Sequence, residues 1–335
     1  MKVILTGDRP TGNLHLGHFV GSLENRVKLV NSGEYTTYIL IPDIQALTDN
    51  FEEPEKVRAN ILNVLQDNLA AGVDPEKATF FLQSAIPQIA ELTVFYANLV
   101  TLGRLQRNPT VKDELQQKKD KFGDTIPLGF LMYPVSQAAD ISIVKGQIVP
   151  VGEDQLPHIE QTREIIRKFN SIYGEVFPEP EGLVGSNARL IGLDGNAKMS
   201  KSLNNCIYLK DSPEEVTRKV MSMYTDPTRI HPNDPGKVEG NPVFVYHDAF
   251  NTNKAEVEDL KSRYKSGTVG DVEVKQKLVV AINSFLEPIR ERRKKYENED
   301  LLMDILQTGT KKVSQVAEKT MDEVKSAMKL DILKR

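Results

Sequence analysis

Residues 3–18 run from an aliphatic strand, Val3-Ile4-Leu5, through a glycine- and proline-rich turn, Thr6-Gly7-Asp8-Arg9-Pro10-Thr11-Gly12-Asn13, into a helix start, Leu14-His15-Leu16-Gly17-His18. A strand that breaks on glycine and turns back into a helix is the first half of a β–α unit, and such units pack on a parallel sheet. The turn lets backbone approach a phosphate chain. The helix start adds unpaired N–H groups and the positive end of the helix dipole. His15 and His18 are three residues apart, so they share a helical face and can reach one bound group. A neutral imidazole donates a hydrogen bond without a large desolvation cost. The same pair also reads as surface polarity or, with a third ligand, as a metal site.

A second segment narrows that choice. Lys198-Met199-Ser200-Lys201-Ser202 lies in a loop flanked by glycine and asparagine. Lys198 and Lys201 are point charges on flexible stems, suited to a pyrophosphate leaving group whose charge grows in the transition state. Most basic loops are simply solvated, but Met199 in so polar a loop fits that reading poorly.

Short aliphatic runs alternate with helical periodicity over the first two hundred residues. Val3–Thr6, Thr37–Ile41, Thr79–Gln83 and Gln147–Val151 read as buried parallel strands. Pro54–Leu69 and Asp154–Asn170 read as helices, the second announced by Glu153-Asp154. This alternation predicts an α/β fold, a Rossmann-like, doubly wound parallel sheet. Asn108–Thr125 is highly charged and reads as an exposed loop inserted between strands. Asp211-Ser212-Pro213-Glu214-Glu215 is a helix start, Asp226–Pro242 a connector, and Asn253–Lys329 almost wholly helical pattern. The expected division is a catalytic domain over 1–203 and an α-helical region over 204–335, its last helix able to pack back on the first domain.

Composition sets the class. Of 335 residues, 39% are hydrophobic and 27% charged, as in ordinary globular enzymes. No apolar run approaches the roughly 20 residues that span a bilayer. The start enters a strand within two residues, which leaves no room for a leader, and the expectation is a cytoplasmic protein. Cys206 is the single cysteine, so neither an internal disulfide nor a cysteine zinc cluster is expected. The net charge of −4 is uneven, since residues 254–335 hold 18 Lys and Arg against 15 Asp and Glu. A mildly basic tail can serve RNA phosphates.

Tyr133, Gln137 and Asp140 fall on one face of a helix at i, i+4 and i+7. An acid among small apolar residues is costly without a partner, and it reads either as a pocket acceptor or as a local cap. Val149-Pro150-Val151 then leads through Gly152-Glu153-Asp154-Gln155 into a helix. That acidic turn suits ribose hydroxyls and an α-ammonium group, and Gly152 permits close backbone approach.

With these residues in view, the His-Leu-Gly-His and Lys-Met-Ser-Lys-Ser segments resemble the HIGH and KMSKS motifs of class I aminoacyl-tRNA synthetases. From residue 1 to about 330 the chain resembles the bacterial tryptophanyl-tRNA synthetases, in the form that carries His-Leu-Gly-His rather than Thr-Ile-Gly-Asn. The resemblance implies ATP contacts from Arg9, Pro10, Thr11, His15, Gly17, His18, Gly152, Glu153, Asp154, the backbone at Leu190, and Lys198, Met199, Ser200, Lys201 and Ser202. It implies a tryptophan pocket lined by Leu5, Thr6, Tyr133, Gln137, Asp140 and Gln155, with Asp140 accepting the indole N–H. His18, Lys112, Lys198 and Lys201 would carry the catalysis, with Mg²⁺ bound through the phosphates and no protein metal site. It also implies tRNA as partner and a homodimer, and the positive excess gathered around Arg290-Glu291-Arg292-Arg293-Lys294-Lys295 is what points the C-terminal helices to the tRNA anticodon stem.

Three positions depart from the family pattern. Gln137 stands where many tryptophanyl enzymes have Met, Arg9 where they have Gln, and Gln45 where the commoner form has His. The Tyr133, Gln137, Asp140 pattern also occurs in tyrosyl-tRNA synthetases, but Leu5 replaces their strand tyrosine and the Gly152–Gln155 turn is the tryptophanyl version. A dinucleotide- or amide-forming nucleotidyltransferase, and a paralogue retained for RNA binding or regulation, are the alternative readings. The lysine loop and helical tail disfavour the first; the intact lysines and histidines disfavour the second.

Overall fold

The computed structural model describes every residue except 118–122, 124, 186–189, 196–198, 200–202, 204, 230, 232, 334 and 335. Five described strands, β1 (Lys2–Gly7), β2 (Tyr35–Ile41), β3 (Ala78–Leu82), β4 (Ile148–Val151) and β5 (Glu181–Val184), form one parallel sheet. Their order is β3-β2-β1-β4-β5. β1 pairs with β2 along its whole length but with β4 only at Ile4 and Ile148. The order reverses at that junction, so a crevice lies beyond the carboxyl ends of β1 and β4, where ligands of such sheets bind.

The helices are set by local signals. Leu16–His18, a wide π-type turn over Phe19–Leu23, and α1 (Glu24–Ser32) follow one another after β1. Helix α2 (Pro54–Ala71) has proline in its first turn and ends at Gly72, whose φ of 113° a side chain would resist. Then come α3 (Pro87–Ala97), α4 (Pro109–Gln117), α5 (Leu128–Ile143) and α6 (Leu156–Tyr173). Beyond the sheet lie α7 (Pro213–Met221), α8 (Pro242–Phe250), α9 (Lys254–Lys265), α10 (Asp271–Lys295) and α11 (Glu299–Ala327). Ser212 caps α7 by accepting the Glu215 N–H, with Pro213 just inside the helix.

Strand alternation feeds two apolar layers. Leu5, Leu40 and Phe81 meet α3, α5 and α6 on one face, while Ile39, Ile41 and Phe80 meet α2 on the other. A third cluster joins Leu14, Leu16 and Leu23, around the turn after β1, to Phe244, Tyr264, Leu278 and Ile282 of the helical region. The two regions therefore share a core. Helix α11 belongs to both faces of the sheet: Leu302 and Leu306 join one layer, Val313, Ala317 and Met321 the other. It crosses edge strand β3, whose Leu82 N–H donates to Thr310 Oγ1 at 3.1 Å. The crossing satisfies an edge group that would otherwise face solvent.

The structure refines the sequence reading at four places. β5 was not foreseen, because Glu-Gly-Leu-Val is a mostly exposed edge strand without an apolar run. The stretch from Asn108 is not simply an exposed loop, since Pro109–Gln117 is helical and Asn108, Thr110 and Val111 are buried. Helix α6 begins at Leu156, after a 3₁₀ turn over Glu153–Gln155, rather than at Asp154. The helical tail is three helices, separated at Ser266–Gly270 and at Tyr296–Asn298.

At the crossing, a Cβ on Gly309 would lie 1.9 Å from the Phe80 carbonyl oxygen. Alanine normally stabilises a helix interior by up to about 1 kcal/mol over glycine. Here the sign reverses: Gly309→Ala is expected to cost about 1–3 kcal/mol through forced displacement of α11, read by urea denaturation.

Candidate active site

Four chain segments meet at the carboxyl edge of the sheet: the turn after β1, Pro42–Ala46 after β2, Gln83 after β3, and Gly152–Gln155 after β4. The first is held from below by buried polar groups. Arg26 of α1, 2% exposed, pairs with Asp8 and donates to Asn68 Oδ1 at 2.6 Å and Thr6 Oγ1 at 3.0 Å. Burial alone would raise the Asp8 carboxyl, but the Arg26 charge and hydrogen bond outweigh it and hold Asp8 below its ordinary value. Asp67 of α2 has no exposed surface; its Oδ2 accepts the Leu14 N–H at 2.7 Å, and its other oxygen pairs with Arg293 of α10. From the far side, the Leu209 N–H donates to the Leu14 carbonyl at 3.0 Å.

This clamp fixes where the histidines start. His15 is extended, and its N–H donates to His18 Nδ1 at 3.2 Å, with the ring centroids 3.8 Å apart. In the neutral ring His18 then carries its proton on Nε2. Gly17 sits directly against the second motif: its N–H donates to Met199 Sδ at 3.3 Å. A Cβ at Gly17 would lie 3.1 Å from that sulfur and 2.9 Å from the His15 ring, so a side chain here would push both neighbours aside. Met199 is 3% exposed and packs into the core that Leu14 and Leu16 share. Leu190 is buried in the same cluster. Lys198, Ser200, Lys201 and Ser202 lie outside the described residues.

Around the crevice the other candidates are spread over several elements. Arg9 is exposed and pairs with Asp49 at 3.8 Å, Pro10 is buried and Thr11 half-buried. Lys112 is exposed on α4. Thr110, two residues earlier, donates to the Asp154 carbonyl at 2.7 Å and so ties α4 to the Gly152–Gln155 turn. Glu153 and Asp154 are exposed, and a Cβ on Gly152 would lie 2.8 Å from Asp154 Oδ1.

Helix α5 supplies Tyr133 and Gln137, both half-buried, and Asp140, which is 2% exposed. Tyr133 Oη lies 3.0 Å from His158 Nε2. Asn108 Oδ1 accepts the Thr110 N–H, so its amide nitrogen is the group facing His158 Nδ1, at 3.3 Å. That makes Nδ1 the acceptor and Nε2–H the donor to Tyr133. Burial pushes His158 down to about 4, so the ring is neutral. Burial, then the charge and hydrogen bond of Glu114, raise the Tyr133 phenol above its ordinary value. Asp140 accepts from Gln83 Nε2 at 2.8 and 3.0 Å and from Gln45 Nε2 at 2.5 Å. Burial drives it up to about 8, opposed by the Gln83 hydrogen bond and assisted by the charge of Asp43.

Not all the expected residues converge. Strand alternation sends Leu5 toward α5 and Thr6 toward Arg26, so these neighbours do not line one wall. Arg292 and Arg293 are half-buried and engaged within the protein: Arg292 donates to the Ala70 carbonyl at 2.7 Å and Arg293 pairs with Asp67. Arg290 donates to the Asp211 carbonyl and to Asn283. Charge counting located the positive run, but three of its members are consumed by packing. The sequence reading also missed Gln83, which it placed inside strand β3, and Asp67, Glu114 and His158; each is a polar side chain at or beside the site whose partner lies far away in sequence.

Replacing Arg293 by alanine strands the buried Asp67 and is expected to cost about 3–5 kcal/mol of stability. Lys294→Ala, at an exposed neighbour, should stay within about 0.5 kcal/mol. Equal denaturation midpoints for the two variants would contradict this placement.

A family described as tRNA synthetases class I (W and Y) matches residues 2–287. A protein of Lactococcus lactis named tryptophan–tRNA ligase is 54% identical over 340 aligned positions, covering 99% of this chain and 98% of the relative. One of the same name from Clostridium longisporum is 53% identical, covering 98% and 97%. The crystal structure of tryptophanyl-tRNA synthetase from Campylobacter jejuni, complexed with ADP and tryptophan, superposes with a TM-score of 0.84 at 30% identity, covering 97% of this chain and 99% of that one.

Proposed function

The chain belongs to the class I tRNA synthetases of the tryptophan and tyrosine group, and on that premise we propose how its crevice performs the tryptophan–tRNA ligase reaction of that family. L-Tryptophan and ATP give tryptophanyl-adenylate and pyrophosphate, and the tryptophanyl group then passes to tRNA. The observation that carries the reading is the Gly17 N–H on Met199 Sδ, which joins two motif segments over 180 residues apart beside the sheet's switch point.

In the first step a carboxylate oxygen of tryptophan bonds to the α-phosphorus, and the bond from that phosphorus to the bridging oxygen breaks. The carboxylate is already a nucleophile at neutral pH, so positioning and charge stabilisation do the work. His18 offers its Nε2–H to the phosphate chain, and Lys112, Lys198 and Lys201 meet the charge that develops on pyrophosphate. Arg9, Pro10, Thr11, His15, Gly17, Gly152, Glu153, Asp154, the Leu190 backbone, Ser200 and Ser202 complete the ATP site. Mg²⁺ arrives on the triphosphate. The ligands of that ion would be phosphate oxygens and water.

Tyr133, Gln137, Gln155 and Leu5 surround the amino acid, and Asp140 accepts the indole N–H. A site that pairs this donor can reject an analogue lacking it by roughly 10⁴-fold or more. In the second step a ribose hydroxyl of tRNA attacks the tryptophanyl carbonyl and AMP leaves. We assign catalysis to residues 1–203 and tRNA contacts to 204–335, and read the active form as a cytoplasmic homodimer. No helix among the described residues is long and apolar enough to cross a membrane.

Lys201→Ala should slow adenylate formation by at least about 10²-fold with little change in tryptophan affinity; normal single-turnover adenylation would refute the assignment. The Asp140 assignment gives a pH signature. A bound N–H favours the charged carboxylate, so binding lowers its pKa and releases a proton from a group that titrates at about 8 in the free site. KM for tryptophan should therefore fall as pH rises from 6 to 8, by at most about tenfold per unit, and flatten above. Pyrophosphate exchange across this range checks it. A flat profile, or an unchanged slope in Asp140→Asn, removes Asp140 from the indole contact.

A further inference from the structure

We propose that Gln83, with Gln45 beside it, is a positioning residue that fixes which Asp140 oxygen faces the indole and so selects an aromatic side chain whose ring carries an N–H. The inference rests on the indole contact assigned to Asp140 above and concerns what makes that contact selective. Gln83 is the first residue after β3 and has no exposed surface. Its orientation is settled by a group that can only donate: the main-chain N–H of Gln45 lies 3.0 Å from Gln83 Oε1. The amide nitrogen must then face Asp140, which it does at 2.8 Å from Oδ1 and 3.0 Å from Oδ2. The Gln45 side-chain amide reaches Oδ2 at 2.5 Å.

Counting lone pairs gives the consequence. Oδ2 receives two donors and Oδ1 one, which leaves Oδ1 room for one more. A donor completes the set. A sulfur or oxygen isostere of the indole has no donor to place there, so its binding does not draw on the acid. Without the Gln83 amide, Asp140 could turn away, and its pairing with the ring N–H would weaken. Because the two glutamines touch the acid rather than the substrate, their loss should affect only a substrate that uses the acid.

The test compares pyrophosphate exchange with L-tryptophan and with benzothienylalanine, in which sulfur replaces the ring N–H. In Gln83→Leu, KM for tryptophan should rise about tenfold, the loss expected when one hydrogen bond to a charged group goes. KM for the sulfur analogue and for ATP, and kcat with tryptophan, should change by less than about twofold, within the scatter of a distant substitution. If Gln83→Leu does not fold, Gln45→Met removes the second amide and should show the same selective loss to a smaller extent. Equal losses for both substrates in the variant that folds would make the glutamines merely structural and overturn the proposal, as would no loss for either. A wild-type enzyme that accepts the two substrates equally would overturn the Asp140 contact itself, a result distinct from failure of the glutamines alone.

Discussion

Both oxygens of Asp67 are spent inside the protein, one on the Leu14 N–H and the other on Arg293. A carboxylate with no exposed surface is tolerable only if such partners replace its water. The requirement works in two directions. Toward the sheet it fixes the backbone one residue before His15, and with it the height at which the helix start leaves the turn. Toward the helical region it anchors α10, and Arg292 adds a second bond to the end of α2. Catalytic turn and helical region are thus positioned by one buried group, and the shared core of Leu14, Leu16, Phe244 and Leu278 fills the space around it.

On the proposed mechanism, fixing that turn matters because the chemistry asked of it needs no proton shuttle. Where catalysis is positioning and charge stabilisation, small displacements of donors are expensive. The protein accordingly places four buried polar pairs under the site: Asp8 with Arg26, Asp67 with Arg293, Asn108 with His158, Gln83 with Asp140. Each would weaken a fold judged by apolar packing alone. Their grouping at the carboxyl edge, where β1 and β4 part, is where stability and function make opposing demands.

Much of this architecture could be read from residue order. Strand β1, the turn after it, α2 with its proline start and the Ser212 cap all follow local rules, and the aliphatic runs of β2, β3 and β4 were visible because buried parallel strands are continuous. What escaped has a common physical origin. The edge strand β5 has too little apolar content to announce itself. The charged stretch after Asn108 hides a helix whose buried side is built by Asn108, Thr110 and Val111, only the last of them apolar. Arg292 and Arg293 look like a solvent-facing pair until Asp67, over 220 residues away, is brought beside them. Within the candidate site, Tyr133, Gln137 and Asp140 declare a face by helical spacing. Gln83 and His158 join that face only through tertiary contact, which no local pattern encodes.

The contact between the two motif segments is of a different kind from the clamp beneath them. An N–H on a thioether is a weak hydrogen bond, so most of what holds Met199 against Gly17 is burial of its side chain, about 1.5–3 kcal/mol. That corresponds to a preference of roughly 10–150-fold for the packed position. Asp67, by contrast, could leave its partners only at a cost comparable to much of a domain's stability. The histidine side of the site is therefore built on a support that does not yield, and the lysine side on one that ligand charge can rival. On the proposed mechanism a triphosphate would supply such charge when it binds, through Lys198 and Lys201, and pyrophosphate would remove it on departure. The sequence accomplishes this with one apolar residue in a polar loop and one glycine small enough to receive it.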